Sequence, residues 1–266
     1  MGRYRLVAID VDGTLIQRGL PVSPAVVSAI TRAQQQGVVV TLASGRMFPL
    51  VESLLRQLVL TAPVICYGGA LVVEPSPRRT IYRRGVPLDL AREVIAVARD
   101  RELSARAYVG DRVYVDRLEP GRFNFESLRR VNAEPVGDLL SFLTDDPSHL
   151  AIDAPPDQTR ELVVAMRQVF SLRLNVTTGH PLLTEFSHPS VHKGSAVRWL
   201  CAHLGIDPRE SLAIGDDWND LEMLRQAGLG VAVANAHPEV LASADAIVPS
   251  VEEDGVAVAL ERFVLT

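Results

Sequence analysis

Residues 4–14 have the sequence YRLVAIDVDGT, in which an almost unbroken apolar run ends in two aspartates, Asp10 and Asp12. A strand that is apolar nearly throughout is typical of a parallel sheet that is covered on both faces. This stretch therefore predicts a buried strand over Tyr4–Val11 with an acidic pair at its carboxyl end.

Helices and strands alternate in the chain on either side of a different middle segment. Ser23-Pro24 is typical of a helix start, because a capping hydroxyl precedes a proline at the first helical position, and Gly37 ends that helix. Further strands are predicted at Val38–Ala43, Val64–Cys66, Leu212–Ile214, Val231–Val233 and Ala246–Val248. Further helices are predicted at Phe48–Leu58, Lys193–Leu204, Leu221–Ala227, Pro238–Ala242 and Gly255–Val264.

The middle segment has a different pattern, with several short strands beside two helices. Helices are predicted at Pro87–Arg101 and Pro155–Phe170, and strands at Ser104–Val109, Arg112–Asp116, Leu172–Thr178 and Leu182–Phe186. Runs of strands next to helices favour an α+β unit over a continued alternation. We predict an α/β fold in which residues 1–83 and 187–266 form a doubly wound, Rossmann-like parallel sheet. Residues 84–186 are then an inserted α+β domain.

Composition narrows the class of partner. The chain has 266 residues, a net charge of −5 and a pI near 5.7, which argues against nucleic acid because phosphate backbones attract basic surfaces. No apolar run reaches the roughly 18–20 residues of a membrane span, so we expect no membrane partner.

Two cysteines, Cys66 and Cys201, cannot form a disulfide framework, and the simplest expectation is a reducing cytoplasm.

Four polar segments occupy equivalent places in the predicted fold. Two of them close strands, Ser44-Gly45-Arg46 after Val38–Ala43 and Asp216-Asp217-Trp218-Asn219-Asp220 after Leu212–Ile214. Lys193, the single lysine beside 26 arginines, begins the helix that leads into the latter strand. Because ligands bind outside the carboxyl ends of parallel strands, we expect these segments to meet the acidic pair at one edge of the sheet.

The acids at that edge predict a metal. Asp10, Asp12, Asp216 and Asp220 would repel one another in one pocket unless some were protonated or a cation were bound. A hard divalent cation with oxygen ligands suits such a site, and Mg²⁺ characteristically binds through a few carboxylates together with a substrate phosphate. No histidine or cysteine accompanies the acids, which disfavours zinc.

The remaining polar residues predict a phosphate site. Ser44 offers a hydroxyl, and Gly45 lets a backbone N–H approach an anion near the start of the following helix. Lys193 supplies a compact positive charge that suits a phosphate and a carboxylate together better than a planar guanidinium does. With the phosphate charge neutralised, a carboxylate can attack phosphorus, and a second acid can protonate the leaving alcohol and later activate water.

Several motifs resemble those of the haloacid dehalogenase (HAD) superfamily, and they stand in the same order. They are DVDGTL, TLASGR with its Ser44, HKG around Lys193, and GDDWND. The closing segments, AGLGVAVANAHPEVLASADAIV and EEDGVAVAL, resemble the Cof-type branch, subfamily IIB, which carries an inserted cap of the C2 type. One departure is Gly68-Gly69-Ala70, where many relatives have Asn-Gly-Ala, so an amide that could contact substrate or cap is missing.

The resemblance implies a role for each matching residue. Asp10 corresponds to the nucleophile and Asp12 to the general acid/base, whose backbone carbonyl also binds the metal. Asp216 corresponds to a direct metal ligand and Asp220 to an occasional direct or outer one. The phosphate-binding set comprises Ser44, Gly45, Lys193 and Asn219.

Other polar residues are left with ordinary or undecided roles. Asp217 is either a helix N-cap or part of the metal surroundings. His188 and His192, which flank the lysine segment, are expected to have ordinary loop roles. Most of the arginines in the middle segment, Arg106 among them, are expected to be solvated, with one or two reaching a substrate anion.

The sequence thus predicts a cytoplasmic, Mg²⁺-dependent phosphatase that hydrolyses a small phosphorylated metabolite, such as a sugar phosphate, through an aspartyl phosphate. One alternative is a phosphotransferase, such as a phosphosugar mutase, which would hand the phosphoryl group to a sugar. Another is a phospho-receiver-like signalling module, although receivers are about half this length and their lysine follows all the acids. The substrate and the oligomeric state stay open.

Overall fold

The chain consists of two compact units. The computed structural model describes residues 3–17 and 19–265. The core unit comprises Met1–Tyr82 and His192–Thr266, and the inserted unit comprises Arg83–Val191.

The core unit begins and ends with alternating strands and helices. Its first segment contains β1 (Leu6–Ile9), α1 (Pro24–Gln35), β2 (Val39–Leu42), α2 (Phe48–Gln57), β3 (Val64–Cys66), β4 (Leu71–Pro75) and β5 (Arg78–Arg83). In the inserted unit follow α3 (Leu88–Asp100), β6 (Ser104–Val109), β7 (Arg112–Val115), α4 (Phe125–Arg130), β8 (Glu134–Pro135), α5 (Leu139–Phe142), β9 (His149–Asp153), α6 (Pro156–Phe170), β10 (Asn175–His180) and β11 (Leu183–Ser187). The core unit resumes with α7 (Lys193–Leu204), β12 (Ser211–Gly215), α8 (Leu221–Gln226), β13 (Leu229–Val233), α9 (Pro238–Ser243), β14 (Ala246–Val248) and α10 (Gly255–Phe263).

A five-stranded parallel sheet organises the core unit, with the strand order β14-β13-β12-β1-β2. All four residues of β1 are buried, as expected for a strand covered on both faces. The register pairs Ile9 with Ile214 on one side and with Leu42 on the other. The carboxyl ends of β12, β1 and β2 are therefore neighbours.

Helices cover this sheet and hold it in place. Leu6 and Ala8 of β1 belong to an apolar cluster with α7 and α8, to which Leu200 and Met223 contribute. Helices α1 and α10 contact each other and reach the sheet at β2 and at β13 and β14 respectively. The start of α1 is as predicted, because the Ser23 hydroxyl accepts a hydrogen bond from the backbone N–H of Val26 at 3.2 Å.

The inserted unit has its own sheet and core. Six strands lie in the order β10-β11-β9-β6-β7-β8, and every pairing is antiparallel except that of β7 with β8. One face of this sheet packs on α3 and α6 through residues that include Ala107, Ile152 and Phe170. The prediction of a doubly wound α/β core with an inserted α+β domain is confirmed.

A buried ion pair lies in the inserted unit. Arg106 of β6 is 1% exposed, and its Nε donates to both carboxylate oxygens of Asp153 on β9 at 2.9 Å. The Ser127 hydroxyl accepts a further bond from Arg106 Nη2 at 3.1 Å. The expectation of a solvated arginine is therefore wrong for Arg106, because a carboxylate 47 positions along the chain compensates its charge.

The helices that the structure describes, within residues 3–17 and 19–265, include none with both the length and the apolar character needed to cross a membrane.

Candidate active site

Three neighbouring strand ends bring the predicted site residues together. Asp10 follows β1, Ser44 comes two residues after β2, and Asp216 follows β12. The ladder continues past the strands, because the Asp10 N–H donates to the Ile214 carbonyl at 2.9 Å. The chain thus carries groups that are some 200 residues apart in sequence to one edge of the sheet.

Lys193 is the most completely bonded side chain of this edge. It is the first residue of α7, is 1% exposed, and its Nζ donates to Asp10 Oδ1 at 2.6 Å and to Asp220 Oδ1 at 2.6 Å. The third bond goes to Asn219 Oδ1 at 3.0 Å, so each ammonium hydrogen has an acceptor. Burial by itself would lower the pKa of Lys193, but the charges of Asp10 and Asp220 outweigh it and raise that pKa.

Three carboxylates surround the lysine. Asp10, Asp216 and Asp220 each place an oxygen within 4.8 Å of the other two. Burial, followed by repulsion from Asp220, raises the pKa of Asp10 well above its ordinary 3.8, although Lys193 opposes this. Burial likewise raises the pKa of Asp216. One ammonium group does not neutralise three acids, of which Asp10 and Asp220 are buried and Asp216 is half-buried, and the cluster is therefore suited to an additional cation.

The turn after β1 holds Asp216 closely. The Thr14 hydroxyl donates to Asp216 Oδ1 at 2.7 Å, and the His237 backbone N–H donates to the Asp216 carbonyl at 2.9 Å. Gly13 has φ +89°, and a Cβ at that position would lie 2.3 Å from Asp216 Oδ2. Only glycine fits there, because it permits both the left-handed backbone and the close contact. The sequence indicated no role for Thr14, although this residue lies within the DVDGTL motif.

Asp220 and Asp217 shape the loop that follows β12. Asp220 is fully buried, and its Oδ2 accepts the backbone N–H groups of Asp216 and Asp217, each at 3.1 Å. Asp217 Oδ1 accepts the Trp218 N–H at 2.7 Å and caps a short 3₁₀ helix over Trp218–Asp220. Of the two roles left open for Asp217, the structure thus shows the N-cap.

Asp12 points away from the three-carboxylate cluster. Its side chain is 50% exposed and forms a two-pronged ion pair with Arg46, with Nε to Oδ2 at 2.8 Å and Nη2 to Oδ1 at 2.5 Å. Such paired contacts fix the orientation of a carboxylate. Arg46 had no assigned role in the sequence, and its position directly after Ser44-Gly45 was the available signal.

The predicted phosphate loop lies between β2 and α2. Ser44 is buried, its Oγ accepts the Arg46 N–H at 3.1 Å, and its N–H donates to the Ile65 carbonyl at 2.9 Å. The Gly68 N–H donates to the Ser44 carbonyl at 2.9 Å, so the Gly68-Gly69 segment supports this loop. A Cβ at Gly45 would meet no atom within 4 Å, which leaves that side of the loop open.

Comparison with known proteins agrees with this arrangement. The model of the haloacid dehalogenase-like hydrolase family matches residues 7–260. The chain belongs to this family. The resemblance of the motifs is thereby confirmed, and the acids, lysine and serine above lie in a haloacid dehalogenase-like hydrolase.

Similar proteins align with the hydrolase over nearly its whole length. The phosphoglycolate phosphatase of Methanothermobacter thermautotrophicus is 30% identical, over 97% of this chain and 98% of that protein. The 5-amino-6-(5-phospho-D-ribitylamino)uracil phosphatase YitU of Bacillus subtilis is 26% identical, over 97% of each. Among solved structures, a haloacid dehalogenase-like hydrolase from Bacteroides thetaiotaomicron matches with a TM-score of 0.85 and 26% identity, over 97% of this chain and 99% of that one.

Proposed function

We propose that this hydrolase is a Mg²⁺-dependent phosphatase that cleaves a small phosphomonoester through an aspartyl phosphate on Asp10. The observation that carries the proposal is the contact of Asp10 with the buried Lys193 ammonium at 2.6 Å, beside Asp216 and Asp220. A carboxylate that is held against a fixed positive charge at the end of a strand is suited to attack a dianionic phosphoryl group.

The acids fit a hard divalent cation. The raised pKa values of Asp10 and Asp216 mean that these two carboxyl groups gain from a positive neighbour. Asp220 already accepts one bond from Lys193 and two from backbone N–H groups, so we assign Asp10 and Asp216 as direct ligands and Asp220 as a support. The Asp12 backbone carbonyl is the further proposed ligand. When bound, Mg²⁺ would neutralise phosphate charge and orient the phosphoryl group.

The proposed reaction has two stages. In the first, an Asp10 oxygen bonds to phosphorus while the bond to the leaving oxygen breaks, and Asp12 donates its proton to that oxygen. In the second, Asp12 takes a proton from water, which attacks phosphorus and frees Asp10 and inorganic phosphate. Ser44, the Gly45 backbone and Lys193 would hold the phosphate oxygens throughout, with Asn219 orienting the lysine.

Asp12 has to exchange partners during this cycle. Its carboxylate is bound to Arg46, so it must turn from the guanidinium towards the leaving oxygen to deliver a proton. The pair is partly exposed, and such pairs contribute only about 0.2–1 kcal/mol, which makes the exchange energetically modest.

The proposed substrates are small phosphorylated metabolites. Two relatives are named for phosphoglycolate and for 5-amino-6-(5-phospho-D-ribitylamino)uracil, which share a phosphomonoester and differ in the group that leaves. The catalytic residues assigned above contact only the phosphoryl end in this scheme, which allows one centre to serve different leaving groups.

The test is a phosphate-release screen over phosphorylated metabolites, with and without Mg²⁺. We expect Mg²⁺-dependent release that Asp10→Asn lowers by on the order of 10⁴-fold or more, since the nucleophile is lost. Asp207→Asn is the matched control, because Asp207 is an acid that caps another short helix, Pro208–Glu210. Near-normal turnover by Asp10→Asn would remove Asp10 from its role. Transfer of the phosphoryl group to an acceptor sugar, without release of inorganic phosphate, would favour a phosphotransferase.

A further inference from the structure

Helix α7 begins with an unusual cap. The N-cap residue is His192, and its imidazole Nδ1 accepts the backbone N–H of Ser195 at 3.0 Å. Ser195 completes the box, because its hydroxyl accepts the His192 N–H at 3.2 Å and donates to the His192 carbonyl at 2.7 Å. Serine, threonine, aspartate and asparagine are the usual residues at such a position, and none of their side chains gains a positive charge near neutral pH.

The residue that follows this cap is Lys193. Two glycines pack closely against backbone on either side of Lys193. A Cβ on Gly69 would lie 2.6 Å from the His192 carbonyl oxygen, and a Cβ on Gly194 would lie 2.4 Å from the Glu222 carbonyl oxygen. The first turn of α7 is therefore fitted against neighbouring backbone on two sides. The cap and the lysine thus share one closely packed turn, through which a change in the cap can reach the ammonium group.

We propose that His192 is a positioning residue for Lys193, which it serves by capping α7 through an unprotonated imidazole nitrogen. The inference rests on the proposed function, in which the lysine holds the phosphoryl group beside Asp10. Among the residues that the structure describes, the His192 side chain bonds to Ser195 and not to Lys193, Asp10 or Asp220, and it acts through the helix.

The cap requires one protonation state. A backbone N–H can only donate, so Nδ1 must carry a lone pair, and a protonated imidazole would lose this bond. Burial lowers the pKa of His192 from its ordinary 6.5. Two charged groups act on the ring: Glu222 of α8 raises the pKa, and Arg198 of α7 lowers it. Gly69, which approaches the His192 backbone from the segment Tyr67–Gly69, carries no charged side chain.

The sign of the pH effect follows from this direction. Because folding disfavours the protonated ring, the cap contributes its full stability above the unfolded value of 6.5. That contribution is lost as the pH falls through the lowered pKa of the folded protein. An asparagine cap has no such dependence, because its amide oxygen accepts the same N–H at any pH.

The experiment compares the full-length wild-type protein with His192→Ala and His192→Asn. His203→Asn is the matched control, since His203 is an exposed histidine near the end of the same helix. The probe is p-nitrophenyl phosphate with Mg²⁺, and kcat and KM are measured separately from about pH 5.5 to about pH 8. Thermal unfolding of the metal-free proteins over the same range gives a readout that is independent of turnover.

We expect His192→Ala to lower kcat/KM about fivefold at the upper end of this range, the factor that corresponds to losing a typical N-cap. The deficit should shrink at the lower end, where the wild type loses its cap as well. His192→Asn should come within about twofold of wild type at the upper end and exceed it at the lower end, because the wild type loses its cap as the pH falls through the lowered pKa of His192 and the asparagine variant does not. The melting temperature of the wild type should likewise fall relative to His192→Asn as the pH drops. His203→Asn should follow the wild type in both measurements.

Three results would overturn the assignment. His192→Ala with wild-type kinetics would show that Lys193 does not depend on the cap. His192→Asn as impaired as His192→Ala would show that the imidazole acts in some other way. If the wild type releases no phosphate, the proposed function fails, and the melting curves decide alone: parallel pH dependences of wild type and His192→Asn would refute the capping role.

Discussion

Replacing Lys193 with methionine tests the electrostatics of the site most directly. Methionine is close to lysine in length, so the change removes three hydrogen bonds and a charge while leaving only a small packing defect. Asp10 and Asp220 then remain buried without their counter-charge. Breaking a buried pair in this way costs about 3–5 kcal/mol. At about 2–4 °C per kcal/mol for a protein of this size, the melting temperature of the metal-free protein should fall by about 6–20 °C.

The loss of stability caused by Lys193→Met should depend on pH in a defined direction. The pKa of Asp10 is already raised in the folded protein, and removal of the ammonium group raises it further. A carboxyl group of this kind contributes stability that is present below its unfolded value of 3.8 and is lost as the pH rises through the folded value. Lys193→Met should therefore lose more stability at about pH 8 than at about pH 5.5, because protonated Asp10 needs no counter-charge.

The assay is thermal unfolding of wild type and variant in chelator at both pH values. Arg106→Met is the control, since it breaks the buried ion pair with Asp153 in the inserted unit and should also cost about 3–5 kcal/mol. Unlike Lys193→Met, it leaves all the assigned phosphate and metal groups in place. A Lys193→Met deficit below about 1 kcal/mol, or one that does not shrink at the lower pH, would refute the account of a charge-compensated cluster.

Three further outcomes follow from the same geometry. Gly13→Ala should abolish Mg²⁺-dependent phosphate release in a folded protein, because the new Cβ would displace Asp216. A variant whose activity saturates at the same Mg²⁺ concentration as that of the wild type would contradict this. Asp12→Asn should change stability by less than about 1 kcal/mol, because it loses only a partly exposed ion pair. It should slow alkyl phosphates about tenfold more than p-nitrophenyl phosphate, whose leaving group needs no proton from Asp12, and equal slowing of both substrates would count against this role. Binding of Mg²⁺ should release protons and tighten as the pH rises, since the raised pKa values of Asp10 and Asp216 fall when the ion binds, and calorimetry in buffers of different ionisation enthalpy measures this release.

The position of the site could be predicted because its determinants are local. The apolar run before Asp10 identifies a strand, and parallel strands bring their carboxyl ends to one edge wherever the connecting helices lie. The same holds for α1, whose Ser23-Pro24 start the structure reproduces with the predicted cap. Such signals depend on a few adjacent residues and need no knowledge of the tertiary structure.

What the sequence did not predict depends on distant partners. Strand β9, near the centre of the inserted sheet, was missed, because its apolar run is only Leu150-Ala151-Ile152, between the polar His149 and a buried Asp153. That aspartate is tolerated only because Arg106 lies opposite it. The elements α4, β8 and α5 were missed as well, because they are only six, two and four residues long.

Side-chain orientation was equally out of reach. Strand and turn patterns placed Asp12 at the right edge of the sheet, but its pairing with Arg46 depends on a loop 34 residues away. The same is true of the hydroxyl of Thr14, which reaches an acid 202 positions along the chain. Patterns in sequence locate residues, whereas the contacts that tune them arise from the packing of remote segments.

The single lysine also gives the protein a built-in chemical reporter. Apart from the amino terminus, Lys193 is the only primary amine in the chain, and it lies 1% exposed with every proton engaged. An acylating reagent reacts only with an unprotonated, accessible amine, so the folded enzyme should be labelled at its terminus alone. Acylation of residue 193, followed by mass spectrometry, would therefore measure how often the site opens, without any engineered probe.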